Sequence, residues 1–376
     1  MTSRGGGLID EIKIDVRLCA SPPHRMTEPS ATVEALNAQA GYCRAGGSPL
    51  NAALLERAAV DCVKGGPVLG LMAPWANQDL RAHLAAATVL RLVAALHELA
   101  LSGEDPKLSA AYATLDAETV WKAAVPAMVT HGGRLAAFMT HEPQTNEVRR
   151  SIGLLGGFLE VAKATGLPLR CFEIGASAGL NTSWDRYRYQ MGGATWGDPD
   201  AAVLIDTAWS GGPPPVEATL SVIHRAACDR RPTDLTDPDQ RRRLLAYIWA
   251  DQRERLARIE AAIDVTLAHR VEVETTDAVD WTRANVAPSP GTATVLYHSV
   301  FWQYLPVESR TALAALIREI GASATLEAPF AWLRMEPTHP TNPMVMQIRL
   351  TQWPGGSDRL LAETHPHGAT VNWLGG

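Results

Sequence analysis

The stretch Leu169 to Asn181, L-R-C-F-E-I-G-A-S-A-G-L-N, constrains this chain more than any other. Its short apolar run reads as a buried strand that ends in an acid, Glu173. Gly175 and Gly179 follow, with only Ala176, Ser177 and Ala178 between them. Glycine admits positive φ and close backbone approach, so the segment reads as strand, tight turn and helix start. The N-terminus of such a helix offers unpaired N–H groups to a ligand, while the carboxylate can take a hydroxyl or an amine. A purely structural reading stands beside this one: the glycines let a helix pack closely on a strand.

Downstream, strand-like and helix-like segments alternate. Val203 to Asp206 reads as a short strand or an inserted extension. Thr219 to Ala226, Val271 to Thr275, Thr292 to Ser299 and Ala324 to Glu327 read as strands. Asp237-Pro238-Asp239-Gln240 carries an N-cap, a first-position proline and a capping-box glutamine, and opens a helix to about Leu267. Shorter helices cover Asp280 to Ala287 and Pro306 to Ile320. Met346 to Trp353 and Leu360 to Thr364 form a closing pair, with Val371 to Trp373 as an extension. Alternation of this kind argues for an α/β fold, a mostly parallel sheet with helices on both faces.

Upstream of Leu169 the pattern is helical. In Ala85 to Leu101, Val89, Leu92, Val93, Leu96 and Leu99 fall on one face at three- and four-residue steps. The expected division is a loose extension over residues 1–30, with Met26 as an alternative start, a lid-like helical domain over 31–150 and the α/β domain over 151–376. Gln144 to Arg150 is a dense polar cluster just before the central strand. Asn146, Glu147 and Arg150 are therefore expected to line a substrate cleft between the two parts, although polar residues at a helix start also serve as caps.

Composition excludes several classes of function. The net charge of −6 provides no basic field for nucleic acid or an anionic membrane. Five cysteines without a C-x-x-C pair suggest reduced thiols and a cytoplasmic location. No apolar run is long enough for a transmembrane helix, and no signal peptide is evident. His365 and His367 form an H-x-H turn with neither an H-E-x-x-H motif nor paired cysteines, so no metal is expected there. A small molecule is the expected substrate.

The E-x-G-x-x-x-G turn resembles the first motif of Rossmann-like S-adenosylmethionine methyltransferases, with Ser177 in place of the middle glycine. The five strand–helix units from Leu169 and the closing pair are similar to the mostly parallel seven-stranded sheet of that family. The resemblance implies S-adenosylmethionine as cofactor. It places Glu173, Gly175, Ala176, Ser177 and Gly179 around the cofactor, with Asn181 just beyond. It implies Asp229 at the ribose and Asp277-Ala278 at the adenine. His298 and Ser299, ending the fourth parallel strand, fall where such enzymes touch the substrate, and His298 or Glu327 would act as base. Tyr297-His298-Ser299-Val300-Phe301 lacks the N/D-P-P-Y signature of nucleic-acid amino-methyltransferases.

Gly175 to Gly179 also spells G-x-S-x-G, the nucleophile elbow of α/β-hydrolases. That alternative would use Ser177 with Asp277 or Glu327 as acid and His365 or His367 as base. The helices upstream, where a hydrolase places strands, speak against it. A third alternative is a non-catalytic binder of a nucleotide-like ligand on the same fold. Across residues 31–374 the chain further resembles an uncharacterised bacterial family of unknown function. Gln144 to Val148, Glu173 to Asn181, Trp196 to Pro199, His298 to Phe301, Trp332 to Pro337, Trp353 to Gly356 and His365 to Gly368 carry that resemblance.

Overall fold

The computed structural model describes residues 30–269, 271–342 and 344–375. The expected extension, apart from Ser30, and the alternative start at Met26 lie outside them.

Residues 31–139 are helical. Ser48 caps the helix Pro49–Val63, where Pro49 occupies a first-turn position that needs no N–H. The helix Thr88–Ser102 buries Val89, Leu92, Leu96 and Leu99 at the centre of this region. Its core also takes in Ala246 and Ala250 from beyond the central strand. The Asp251 carboxylate adds a second tie, accepting from Ser48 Oγ at 2.7 Å and from the Leu50 N–H at 2.9 Å.

The strands are β1 (Leu169–Ile174), β2 (Arg188–Met191), β3 (Ala194–Trp196), β4 (Leu204–Ser210), β5 (Val222–Asp229), β6 (Val273–Thr275), β7 (Ala293–Ser299), β8 (Phe330–Glu336), β9 (Met346–Trp353), β10 (Ser357–Thr364) and β11 (Thr370–Trp373). All belong to one mostly parallel sheet, ordered β3-β2-β4-β11-β10-β9-β8-β7-β1-β5-β6. The expected seven strands are thus eleven. Three of the four extra strands form a detour between β1 and β5, which runs to the far edge and pairs β4 with the fourth, β11. Strands as short as R-Y-Q-M and A-T-W carry too few alternating positions to stand out from a loop. The expected helix after the glycine turn is a 3-10 segment, Leu180–Arg186, that leads into this detour.

β6, β5, β1, β7 and β8 run parallel, and β9 returns antiparallel on β8. From β1 the chain steps outward to β5 and β6, then returns to β7 and β8 on the other side. The switch point therefore falls between β1 and β7, and ligands of open α/β sheets bind at the carboxyl ends of strands there.

Side chains of β1 alternate between two cores. Leu169 and Cys171 join the cluster under the helix Ser151–Thr165. Phe172 and Ile174 join the cluster containing Trp281, Leu313 and Ile317 on the opposite face. The helix Ser151–Thr165 reaches the sheet through Gly153, Gly156 and Gly157, where added Cβ atoms would collide with Ile348, Trp373 and Leu333 respectively. At Gly156 the obstacle is a rigid, buried indole. Alanine there gains about 1 kcal/mol of helix propensity but overpacks at a cost of about 1–3 kcal/mol. Gly156→Ala is expected to lose stability by up to about 2 kcal/mol in urea denaturation. A gain would mean that Trp373 yields freely.

Candidate functional site at the carboxyl edge

Three left-handed residues shape the turn after β1: Gly175 at φ +69°, Ser177 at +55° and Gly179 at +73°. Serine in that region is uncommon and stores strain. The turn is closed by its own chain. The Ala176 N–H donates to the Cys228 carbonyl (3.1 Å) and the Gly179 N–H to that of Ala176 (2.8 Å). The Ser177 N–H donates to Asp229 Oδ2 at 2.9 Å, and the Ala178 N–H to Asn146 Oδ1 at 3.0 Å. The second Asp229 oxygen accepts from the Arg231 N–H at 2.8 Å. Gln144 bridges to the Arg231 carbonyl and the Thr233 hydroxyl, both at 2.7 Å, so residues 144–146 lie across the turn. Phe301 covers Gly175 where a Cβ would stand. Ser177 Oγ, Asn181 Oδ1 and Asn146 Nδ2 are buried without hydrogen-bond partners among the described residues.

Glu173 ends this strand under cover, 3% exposed. Burial raises its carboxyl to about 8; the hydrogen bond from Tyr297 opposes the rise, and nearby Asp229 adds to it. Tyr297 Oη lies 3.2 Å from Glu173 Oε2 and 3.3 Å from the Asn181 carbonyl oxygen. At neutral pH Glu173 is thus a neutral acid able to donate a hydrogen bond.

His298 is fully buried at the end of β7. Its Nδ1 meets Glu336 Oε1 at 2.6 Å, and its Nε2 accepts from the Trp332 indole at 3.1 Å. That indole has only a proton to give, so the imidazole proton sits on Nδ1 and donates to Glu336. Both nitrogens are engaged, and neither is free to act as a base in this arrangement. Glu336 Oε1 also accepts from the Phe301 and Trp302 N–H groups, at 2.9 and 3.2 Å. These bonds hold the turn that presses Phe301 onto Gly175. Val300 in that turn has φ +51°, a strained conformation for a β-branched residue.

Glu147 and Arg150 lie in a third buried group. Arg255 Nε is 2.7 Å from Glu147 Oε2, an ion pair by distance, although its N–H is not aimed at that oxygen. Burial alone would raise the Glu147 carboxyl; Arg255 first, with the Arg149 N–H and Arg258, holds it below its ordinary value. Arg150 Nε donates to the Pro366 carbonyl at 2.9 Å.

The remaining expected residues divide. Ser299 ends β7 at the same edge, half-buried. Asp277 follows β6 and caps the helix Ala278–Asn285 by accepting from the Val279 N–H at 2.9 Å; Ala278 packs into the core below. Glu327 is a correction. It precedes β8, and its carbonyl accepts from Gly291 just before β7, which puts it at the amino edge, opposite the site. Ala324 to Glu327 is not a strand; the strand begins at Phe330, and the acid at its carboxyl end is Glu336. The continuous apolar run F-A-W-L was the available signal, cut short by Arg334. Arg334 is accommodated by stacking 4.0 Å from the Trp332 ring and pairing with Asp358 at 2.8 Å. Ser177 Oγ meets no histidine, so the elbow has no base in this arrangement. Among the described residues no cluster has the makings of a metal site, and no helix is long and apolar enough to cross a membrane.

The class is therefore an α/β protein with a mostly parallel sheet and an N-terminal helical region, whose carboxyl edge at the switch point holds buried ionisable side chains. Over residues 33–373 the chain matches the family described as an uncharacterized protein conserved in bacteria (DUF2332), and it belongs to that family. No curated protein and no solved structure matches it.

Proposed function

We propose that the protein binds a nucleotide-like small molecule at the carboxyl ends of β1, β5 and β7, with the 144–146 segment and the helical region as its lid. The carrying observation is the group of unpartnered buried polar atoms, Ser177 Oγ, Asn181 Oδ1 and Asn146 Nδ2, around a strained turn beside the neutral acid Glu173. Buried polar atoms are normally satisfied, and a ligand with hydroxyl and amine groups, such as a nucleoside, would satisfy these. Methyl transfer from S-adenosylmethionine to a small-molecule acceptor, on a methyltransferase-type sheet, is the finer version of this reading. That cofactor does not fit the turn as it stands. The Ser177 and Ala178 N–H groups that would meet its carboxylate are already taken, its ammonium finds no charge on Glu173, and Phe301 fills the space over Gly175. No methyl-transfer step is derived.

Calorimetry with adenosine, S-adenosylmethionine and its demethylated product tests the reading on the wild type and on Phe301→Ala. If the ring blocks entry, the variant binds adenosine about tenfold more tightly, because closure lowers the competent fraction. No heat from either protein at about millimolar ligand would remove the nucleotide reading. Equal binding of S-adenosylmethionine to both would show that the ring is no obstacle.

A further inference from the structure

A cavity of about 170 Å³ lies beside the glycine turn, between the helical region and the segment after β5. Leu90, Val93, Ala94 and Ile248 line an apolar part of its wall. Arg255, His367 and Asn146 line it as well, and Asn146 is the residue that also holds the Ala178 N–H.

The surroundings of Arg255 are unbalanced in charge. Arg149, Arg150, Arg255 and Arg258 stand within electrostatic reach of one another, with Glu147 between them and the exposed Glu254 acting on Arg258. Glu336 also acts on Arg150, but its Oε1 is committed to His298 and two backbone N–H groups. The Nε groups of Arg149, Arg255 and Arg258 are buried without hydrogen-bond partners among the described residues. His367 contributes no charge: burial first, then Arg255, push its imidazole down to about 3, and the pull of Glu147 does not restore it. A neutral imidazole can still donate one hydrogen bond. Arg255 is ion-paired with Glu147, but it shares that carboxylate with its neighbours, and buried cations short of counter-charge are costly unless an anion joins them.

We infer that this cavity receives a small organic anion, a carboxylate on an apolar body, with the carboxylate at Arg255 and His367 and the body against Leu90, Val93 and Ala94. A planar guanidinium suits a carboxylate, and the apolar wall suits what the carboxylate is attached to. A carboxylate is favoured over a phosphate because Arg255 is the one guanidinium on the wall and already faces Glu147, which would repel a second negative charge. The inference goes beyond the nucleotide reading and does not rest on it.

The test uses the full chain with three probes: phenylacetate, its neutral analogue phenylacetamide, and inorganic phosphate. Phenylacetate is expected to bind with a Kd of about 1 mM or tighter, and about tenfold tighter than the amide. Arg255→Gln should abolish that preference. It also strands Glu147, so a second variant leaves the ions untouched: Ala94→Leu fills the apolar end and should weaken phenylacetate about tenfold. If Ala94→Leu does not fold, Leu90→Phe replaces it. Equal binding of acid and amide, unchanged binding in the filled variant, binding of phosphate alone, or no binding of any probe at about 10 mM each overturns the inference. Adenosine titrated into the same variants separates this result from the nucleotide reading.

Discussion

Glu173→Gln should make the protein more stable than the wild type at pH 8, and the advantage should disappear by pH 5. Glu173 ionises near 8 in the fold, against an ordinary value of 4.5. Between those two values the unfolded chain has released a proton that the folded chain still holds. Folding stability therefore falls as pH rises through this window, by about 1.4 kcal/mol per unit, and is flat on either side. Above pH 8 the accumulated cost is about 5 kcal/mol. Glutamine cannot ionise, so it escapes this cost while keeping an oxygen for Tyr297. Its extra N–H group, buried without a partner, would return about 1–3 kcal/mol. Urea denaturation from pH 5 to pH 8.5 should show the difference between the two proteins growing along the predicted slope, because every other titration cancels. A difference independent of pH would mean that Glu173 ionises freely. A carboxyl whose burial weakens the fold belongs to the features that functional sites tolerate.

Much of this edge was legible because its signals are local. The glycine spacing announces the turn after β1, and the acid before it is the buried carboxyl. Asp237, Pro238 and Gln240 announce a helix start, and Asp237 accepts there from the Asp239 and Gln240 N–H groups. Met346 to Trp353 emerges with the expected bounds as β9. What stayed hidden depends on distant partners. Asp229 closes the turn from 52 residues away and Asn146 from 32, and no spacing rule pairs them. Nor does any local pattern tell that Phe301 lies on Gly175. The displaced fifth parallel strand had the largest consequence. Placing it at Ala324 to Glu327 nominated an acid at the wrong edge and passed over Glu336, although Trp332 to Pro337 stood out as a motif. An arginine in mid-strand looks like a break until its aromatic and acidic partners are known. The helix expected after the turn failed for a related reason: Leu180 to Arg186 leads into short strands whose partners lie at the far edge of the sheet.

Removing the Glu336 carboxylate should both weaken the fold and open the turn. Its Oε1 receives the His298 ring and the Phe301 and Trp302 N–H groups. Glu336→Ala leaves three buried donors unpaired. At about 1–3 kcal/mol for each unsatisfied group, partly relieved by water, the expected loss is about 3–5 kcal/mol. Glu336→Gln keeps an acceptor at the same place and should lose much less, so the pair of variants separates the hydrogen bonds from the packing. The second consequence follows from Val300. Its left-handed conformation is strained and is held by the bonds around it. Without Glu336 the 299–302 turn relaxes and Phe301 leaves Gly175. Hydrogen exchange at the Phe301 and Trp302 amides should then accelerate by far more than the global loss explains. If a nucleoside binds at the turn, Glu336→Ala should gain affinity as Phe301→Ala does. Unchanged exchange at these two amides in a destabilised Glu336→Ala protein would show that the turn is held by its own packing, and that Glu336 supports the sheet and not the gate.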